Sequence, residues 1–488
     1  MWRGETPQKL VELNVPLWDP DAEESREVPV AFALPHLILD TLPTDKLPEY
    51  CELQENQQEV KDDLQTFCAR TGLDAGAEDK PLAACSLWGD SAPYSNKDSL
   101  NLIIFTILSG IHRTTWWLVA FPKSSVCRCG CRGSHTFNRI FDILAWSFRA
   151  AAIGIHPAID HTGKALEAGY LASQRGRMMS VRGALVAKRG DWQWMKSTLG
   201  LCGWSGEGPS RRMCWKCKAC FDGSIPPFDF TSQARWRSTV CDMKTLWDGD
   251  LVSVSNIWGI PGFCLDFVKA DWMHVSCLGI LQAASGSAMW ELFVALGGTW
   301  ARPTEACARL LKMIKVMSKE ADVECPIGDL TVTMFRSAMN KKPKMKLKAA
   351  EGRRFLVVLR KVLGTCFPVS DRHSSTRFSC IDNLYWCYRE LEDWTDGGKS
   401  TVNLARMGRR HLLLYTALHD LVDTNSLLWR LLPKHHLFAH LITDARSNPR
   451  LSWNYTMESE IGNAAALAAR VSKQHLHRVL LPRHNLTA

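Results

Sequence analysis

Met1 to Val15 lacks an apolar run and a small-residue cleavage site, so the 18 cysteines are expected to be reduced. A disulfide-stapled extracellular scaffold is thereby set aside, and the thiols are left for packing or metal. Charge of one sign is also lacking: 59 Lys and Arg against 50 Asp and Glu leave +9, which suits a polyanionic partner without demanding one. No internal repeat or low-complexity tract is visible, which excludes a solenoid. Trp272 to Trp290 has no Lys, Arg, Asp or Glu, yet it holds His274 with several Ser and Gly and runs into Glu291. It is expected to be a buried helix, not a membrane span. Tyrosine is scarce, 7 against 20 Trp. Most of those indoles, such as Trp116, Trp117, Trp146 and Trp194, are expected in the core. What remains is 488 residues that are 46% hydrophobic and 22% charged, a globular composition with room for about two to four domains in the cytosol or nucleus.

Hydrophobic periodicity orders the elements. Residues 1–81 are polar and rich in Glu and Pro, and read as a partly helical lead-in. Cys85 to Ala92, Asn101 to Leu108 and Thr114 to Phe121 are β-rich runs that predict a three-stranded antiparallel meander. Thr136 to Ile153 predicts a helix with Phe137, Ile140, Phe141, Leu144 and Phe148 on one side. Ser180 to Gly190 predicts a strand and Trp192 to Leu199 a helix. The order β-β-β-α-β-α is that of a ribonuclease H-like α/β core, and Phe263 to Ala270 could supply its fifth strand. The core is therefore assigned to residues 82–273, a large all-α insertion to 274–441, and a C-terminal helix and tail to 442–488. In that last part Ile461, Ala465, Ala468 and Val471 share one helical face.

Asp90 closes one predicted strand and Asp191 another, so their carboxylates can meet if the strands are neighbours. Glu458 or Glu460 on the late helix would add a third. Three carboxylates suit two hard divalent cations, which is the arrangement phosphoryl transfer uses. An Asp after a strand is more often a turn residue or a helix cap. Helical rotation separates the two glutamates by about 200°. It sets Glu458 nearer the apolar face and Glu460 toward solvent as a first-turn acid.

These residues fall in a recognisable series: Asp90 in Gly-Asp-x-x-Pro, Asp191 in Gly-Asp-Trp, Cys214-x-x-Cys217, Asp271-Trp-Met-His274, Pro433-Lys434-x-His436-x-x-x-His440, and Trp453-x-x-x-x-Glu458-x-x-x-Gly462. The series, spanning about Leu82 to Ser472, resembles eukaryotic cut-and-paste DDE transposases, nearest the CACTA-like and Kyakuja/Dileera/Zisupton groups. The resemblance implies DNA strand cleavage and strand transfer in the nucleus on double-stranded DNA, with no membrane partner and with a homo-oligomer as the active form. It implies that Asp90, Asp191 and Glu458 hold two Mg²⁺ or Mn²⁺, and that Asp271 and His274 form a structural motif. The chain departs from the pattern at Glu460, a competing carboxylate, and at Asn448-Pro449, where Gly-Pro is usual. Such transposases commonly carry an upstream DNA-binding module, and only residues 1–81 precede the core here. An incomplete or inactive DNA-binding copy is thus one alternative, and a zinc-stabilised structural or interaction module is another.

Cys214-x-x-Cys217, with Cys220 nearby, is a structural-zinc half-site, and His436 and His440 share a helix face and can complete a Cys₂His₂ set. The V(D)J recombinase catalytic subunit and its transposon relatives have a similar arrangement. Cys127, Cys129, Cys131 and His135 are candidates for a second zinc or for a flexible basic turn. Asn340 to Lys361 carries Lys341, Lys342, Lys344, Lys346, Lys348, Arg353 and Arg354 among its cations. It is read as a solvated helix face able to contact DNA phosphates, a surface extended by Lys188, Arg189, Arg211 and Arg212.

Overall fold

The computed structural model describes residues 9–73, 80–111, 114–201, 213–239, 241, 255–395 and 398–487. Arg211 and Arg212 lie outside them. The chain is mixed α/β and divides into two compact units.

The first unit comprises Met1–Cys202, Cys241–Lys269 and Asn454–Ala488. It begins with a hairpin, β1 (Leu10–Asp19) against β2 (Glu24–Ala33), where the sequence suggests only a partly helical lead-in. The signal was present: Val11, Leu13, Val15 and Leu17 alternate with Glu12, Asn14 and Pro16, and Asp19 Oδ1 accepts from Asp21 N at 3.0 Å to close the turn. Helix α1 (Gln58–Thr71) follows. A second sheet holds β3 (Leu82–Pro93), β4 (Ser99–Ile107), β5 (Thr115–Pro122) and β6 (Arg182–Gly190) in the order β5-β4-β3-β6. The first three are antiparallel neighbours, as the meander requires. Helix α2 (Ser134–Ile153) belongs to the crossover that brings β6 parallel to β3, with Gly89 opposite Gly190. Helix α3 (Trp192–Leu199) follows β6 at once, and Gly89 has no side chain because a Cβ there would lie 2.1 Å from the Trp194 ring.

The sheet is buried on both faces, and its strands accordingly read as unbroken apolar runs. One face packs on α2, where Phe105 meets Phe148 at 6.1 Å and Phe121 meets Phe137 at 5.9 Å. Helix α10 (Tyr455–Ala468) packs on β3 and β4, and α11 (Leu476–Thr487) packs on β5 and β2.

Phe263 to Ala270 does not form a fifth strand. Gly262 turns left-handed at φ 70°, Leu265–Phe267 is a 3₁₀ turn, and the carbonyls of Cys264 and Leu265 take the N–H groups of Phe267 and Val268. The turn keeps the Phe267 and Val268 donors from a ladder, while Lys269 N just beyond it donates to Lys188 O of β6 at 3.0 Å. A single parallel bridge, Lys188 to Val268, remains beside β6.

The second unit comprises Gly203–Val240 and Ala270–Trp453. Its main helices are α4 (Gln282–Ala295), which continues a π-helical segment Met273–Leu281, α5 (Thr304–Glu320), α6 (Ala349–Thr365), α7 (Arg372–Glu392), α8 (Lys399–Leu421) and α9 (Pro433–Asp444). Among the described residues, Met273–Ala295 is the one helix long and apolar enough to cross a membrane, and 83% of its apolar window is buried in the fold. Helices α7 and α8 pair over Cys380, Leu384, Leu404 and Leu412, all fully buried. Gly408 lets α9 close on α8, since a Cβ there would stand 2.6 Å from Ile442 Cδ1.

Asn340 to Lys361 is not one helix. Lys341–Lys348 is extended, with Pro343, Met345 and Leu347 buried in alternation with exposed Lys342, Lys344, Lys346 and Lys348. Buried Met345, whose N–H donates to Gln282 O at 2.8 Å, ties the segment to α4.

Candidate metal centres

The register of the large sheet decides where Asp90 points. Asp90 is paired with Leu102, and Ile104 with Trp117, so Asp90 and Trp117 share the face opposite Phe105 and Trp116. Helix α10 lies on that face, because Glu460 Oε2 accepts from Trp117 Nε1 at 3.0 Å. Glu458, in the first turn of α10, then comes to Asp90: each offers a carboxylate oxygen, and these lie within 4.8 Å of one another. Residues far apart in sequence are thus joined by one β-strand and one helix. Asp90 Oδ1 also accepts from Ser91 N at 2.6 Å.

Glu460 is not the solvated acid expected from helical rotation. It is 7% exposed and buried against the Trp117 indole, while Glu458 is half-buried. The helix packs both against the face of the central strands, and a buried indole N–H accounts for the second carboxylate.

Asp191 stands one residue beyond Gly190, beside the end of β3, as the two-strand argument expects. It acts as the N-cap of α3, with Oδ1 accepting from Trp194 N at 2.5 Å, and it is not within the close Asp90–Glu458 set. Lys188, which the sequence places on a basic surface, is instead fully buried. Its Nζ lies 3.9 Å from the Trp194 ring centroid and donates to Arg189 O at 3.0 Å. Burial holds its pKa well below the ordinary lysine value, and the Asp90 charge opposes that shift.

In the second unit Cys214, Cys217, His436 and His440 converge, with one ligand atom from each within 4.8 Å of the others and all four buried. The cysteines sit in a tight loop in which Lys216 N donates to Cys214 Sγ at 3.3 Å. The histidines face the loop from one side of α9. Cys217 Sγ is 3.2 Å from His436 Nε2. His436 Nδ1 hydrogen-bonds to Pro227 O at 2.8 Å, leaving Nε2 to face the thiols as a lone-pair donor. His440 Nδ1 lies 3.5 Å from Asp444 Oδ2, which also binds Lys216 Nζ at 2.8 Å. His440 Nε2 is buried with no hydrogen-bond partner among the described residues. An orphaned imidazole nitrogen aimed at two thiols is what a soft tetrahedral ion satisfies, and the set fits zinc. Burial raises the Cys214 thiol, opposed by His436 and His440. Burial likewise disfavours charge on His440, but Asp444 and Cys214 outweigh it and lift that pKa.

Sequence reasoning missed the outer partners Asp444, Pro227 and Trp236. Trp236 packs 4.7 Å from the His436 ring and 5.0 Å from that of His440. Only Asp444 had a signal, the helical i,i+4 spacing from His440.

Cys127, Cys129 and Cys131 of the loop that leads into α2 converge within 4.8 Å with His135 of its first turn, and this Cys₃His set fits zinc as well. Asp271 and His274 form a local cap: Asp271 Oδ2 accepts from His274 N at 2.9 Å and lies 2.7 Å from its Nδ1. Of the predicted phosphate-binding cations, Lys341, Lys342, Lys344, Lys346 and Lys348 are exposed. Arg353 stacks over Trp453 at 4.9 Å and pairs with Glu392, and Arg354 pairs with Glu324.

No protein-family model matches the chain, and no curated protein matches it.

Proposed function

We propose that the chain is derived from a DDE transposase, with the first unit as a ribonuclease H-like nuclease core and most of the second unit as its all-α insertion. The strand order β5-β4-β3-β6, with only β6 parallel to β3, supports that core. The apposition of Asp90 and Glu458 carries the reading. Two carboxylates this close, from a central strand and a late helix, suit a hard divalent cation. Bound Mg²⁺ would lower the pKa of the attacking water or 3′-hydroxyl and stabilise the leaving oxygen. Asp90 and Glu458 would hold it. Asp191 spends Oδ1 on the cap of α3, and its second carboxylate oxygen would be the one left to join a metal. Trp117 fixes Glu460, and so fixes the rotation of α10 that aims Glu458.

The engagement of Asp191 as a helix cap favours a second reading, a domesticated relative that binds DNA without cutting it. Nicking of supercoiled plasmid in Mg²⁺ or Mn²⁺ separates the two. The nuclease reading expects nicking by the wild-type chain and its loss in Asp90→Asn, with thermal stability and DNA binding retained. Wild-type protein that retains plasmid without nicking it would leave the binding-only reading. Equal nicking by Asp90→Asn would remove Asp90 from the mechanism.

A further inference from the structure

We infer that Cys127, Cys129, Cys131 and His135 hold a zinc ion independent of the Cys₂His₂ centre, and that this ion anchors the β1–β2 hairpin to the start of α2. Tetrahedral zinc with arms of about 2.3 Å to sulfur and about 2.0 Å to nitrogen sets ligand atoms roughly 3.5 to 3.8 Å apart. Three of the groups already stand near that spacing, and Cys131 Sγ lies within 4.8 Å of them. Cys127 Sγ is 3.3 Å from Cys129 Sγ and 3.6 Å from His135 Nδ1, and Cys129 Sγ is 3.3 Å from His135 Nδ1. The chain wraps the position tightly because Gly130, Arg132 and Gly133 are all left-handed, at φ 94°, 53° and 87°. Three thiolates and one imidazole form a soft set that selects zinc over magnesium or calcium. Their ion would carry a net charge of about −1, which the exposed Arg128 and Arg132 on the same loop offset.

The link to the hairpin is explicit. Ser25 Oγ of β2 donates to Cys127 Sγ at 2.9 Å, a bond to a ligand sulfur that orients the ligand. Cys127 N donates to Thr136 Oγ1 at 3.0 Å, and the Thr136 hydroxyl donates to Pro16 O of β1 at 2.6 Å. Both strands of the hairpin are thus tied to the ligand loop and to the first turn of α2. Arg139, one turn further, pairs with Glu27 of β2 at 3.4 Å. Without the ion, the loop has no covalent reason to hold three thiols together.

Metal analysis of the purified full chain tests the site separately from any cleavage activity. Two zinc ions per chain are expected, falling to one in Cys129→Ser and to one in His440→Ala. Cys129 is exposed, so its substitution removes no core packing. Amide hydrogen exchange tests the anchoring: Cys129→Ser should speed exchange across β1 and β2 on the order of tenfold, and His440→Ala should not. Zinc content unchanged in Cys129→Ser, or only one zinc per wild-type chain that His440→Ala removes, would overturn the site. Loss of one zinc with hairpin exchange unchanged would overturn the anchoring.

Discussion

Two glutamates two residues apart divide the work of α10. Glu458 faces Asp90, and Glu460 is spent on the Trp117 indole. Glu458→Gln should therefore abolish metal-dependent nicking and leave urea unfolding unchanged. Glu460→Ala takes the acceptor from a buried donor and should cost about 1–3 kcal/mol in the same unfolding measurement. Glu460→Gln keeps an acceptor oxygen and should cost less than the alanine. The opposite pattern, stability loss at Glu458 and activity loss at Glu460, would mean that α10 is rotated. Helical arithmetic from the apolar face set Glu458 nearer the core and Glu460 toward solvent, but Glu460 is the more buried of the two because Trp117, in another element, binds its carboxylate.

At the scale of the element, α9 and the lysine segment show how spacing becomes a surface. Four residues along α9 set His436 and His440 on one face, which meets the buried cysteine loop, while Ile442 on another face packs at Gly408 of α8. Cys214→Ser should release the zinc of this centre and destabilise the protein by several kcal/mol, read by metal content and thermal melting, because metal binding free energy is folding free energy. Full zinc retention in that variant would discard the site. Lys342, Lys344, Lys346 and Lys348 project from alternate positions of an extended chain, so they recur about every 6.6 Å. A row of cations at that repeat can follow a phosphate backbone. Lys344→Glu with Lys346→Glu should weaken DNA binding equally for unrelated sequences and flatten the log Kd against log salt plot by roughly 0.9 for each phosphate no longer neutralised. An unchanged salt slope would assign the lysines to solvation alone. Residue type announced the basic run, but its extended form follows from Met345 and Leu347 being buried between the lysines.

Each unit of the whole molecule also buries a histidine that stays neutral. Burial, helped by the nearby His156, pushes His36 down to about 3 in the first unit, with Asp40 opposing. In the second unit burial pushes His411 down to about 4, while Nδ1 stays 2.9 Å from Cys380 O. The unfolded chain protonates both near 6.5, so their contribution to stability is present above that pH. It is lost as pH falls from about 6.5 toward these folded values, by up to about 1.4 kcal/mol per pH unit for each histidine. Urea midpoints should fall between pH 7 and pH 5. The slope should shrink in His411→Asn, whose amide can still donate to Cys380 O; a slope identical to wild type would show that His411 titrates alike in both states. The sequence by itself determined the local matters: the β-β-β-α-β-α order, the cap-forming Asp191 after its strand, the Cys-x-x-Cys half-site and the histidine pair. Each depends on spacing within a few residues, where chain geometry leaves little choice. Only the tertiary structure decided the rest. The register of β4 between β3 and β5 put Asp90 on the face of Trp117 and α10, and the 3₁₀ turn at Leu265–Phe267 denied a fifth strand to Phe263–Ala270. Burial claimed Glu460 and Lys188. Those outcomes depend on which distant element covers a given face, and short-range periodicity carries no record of that.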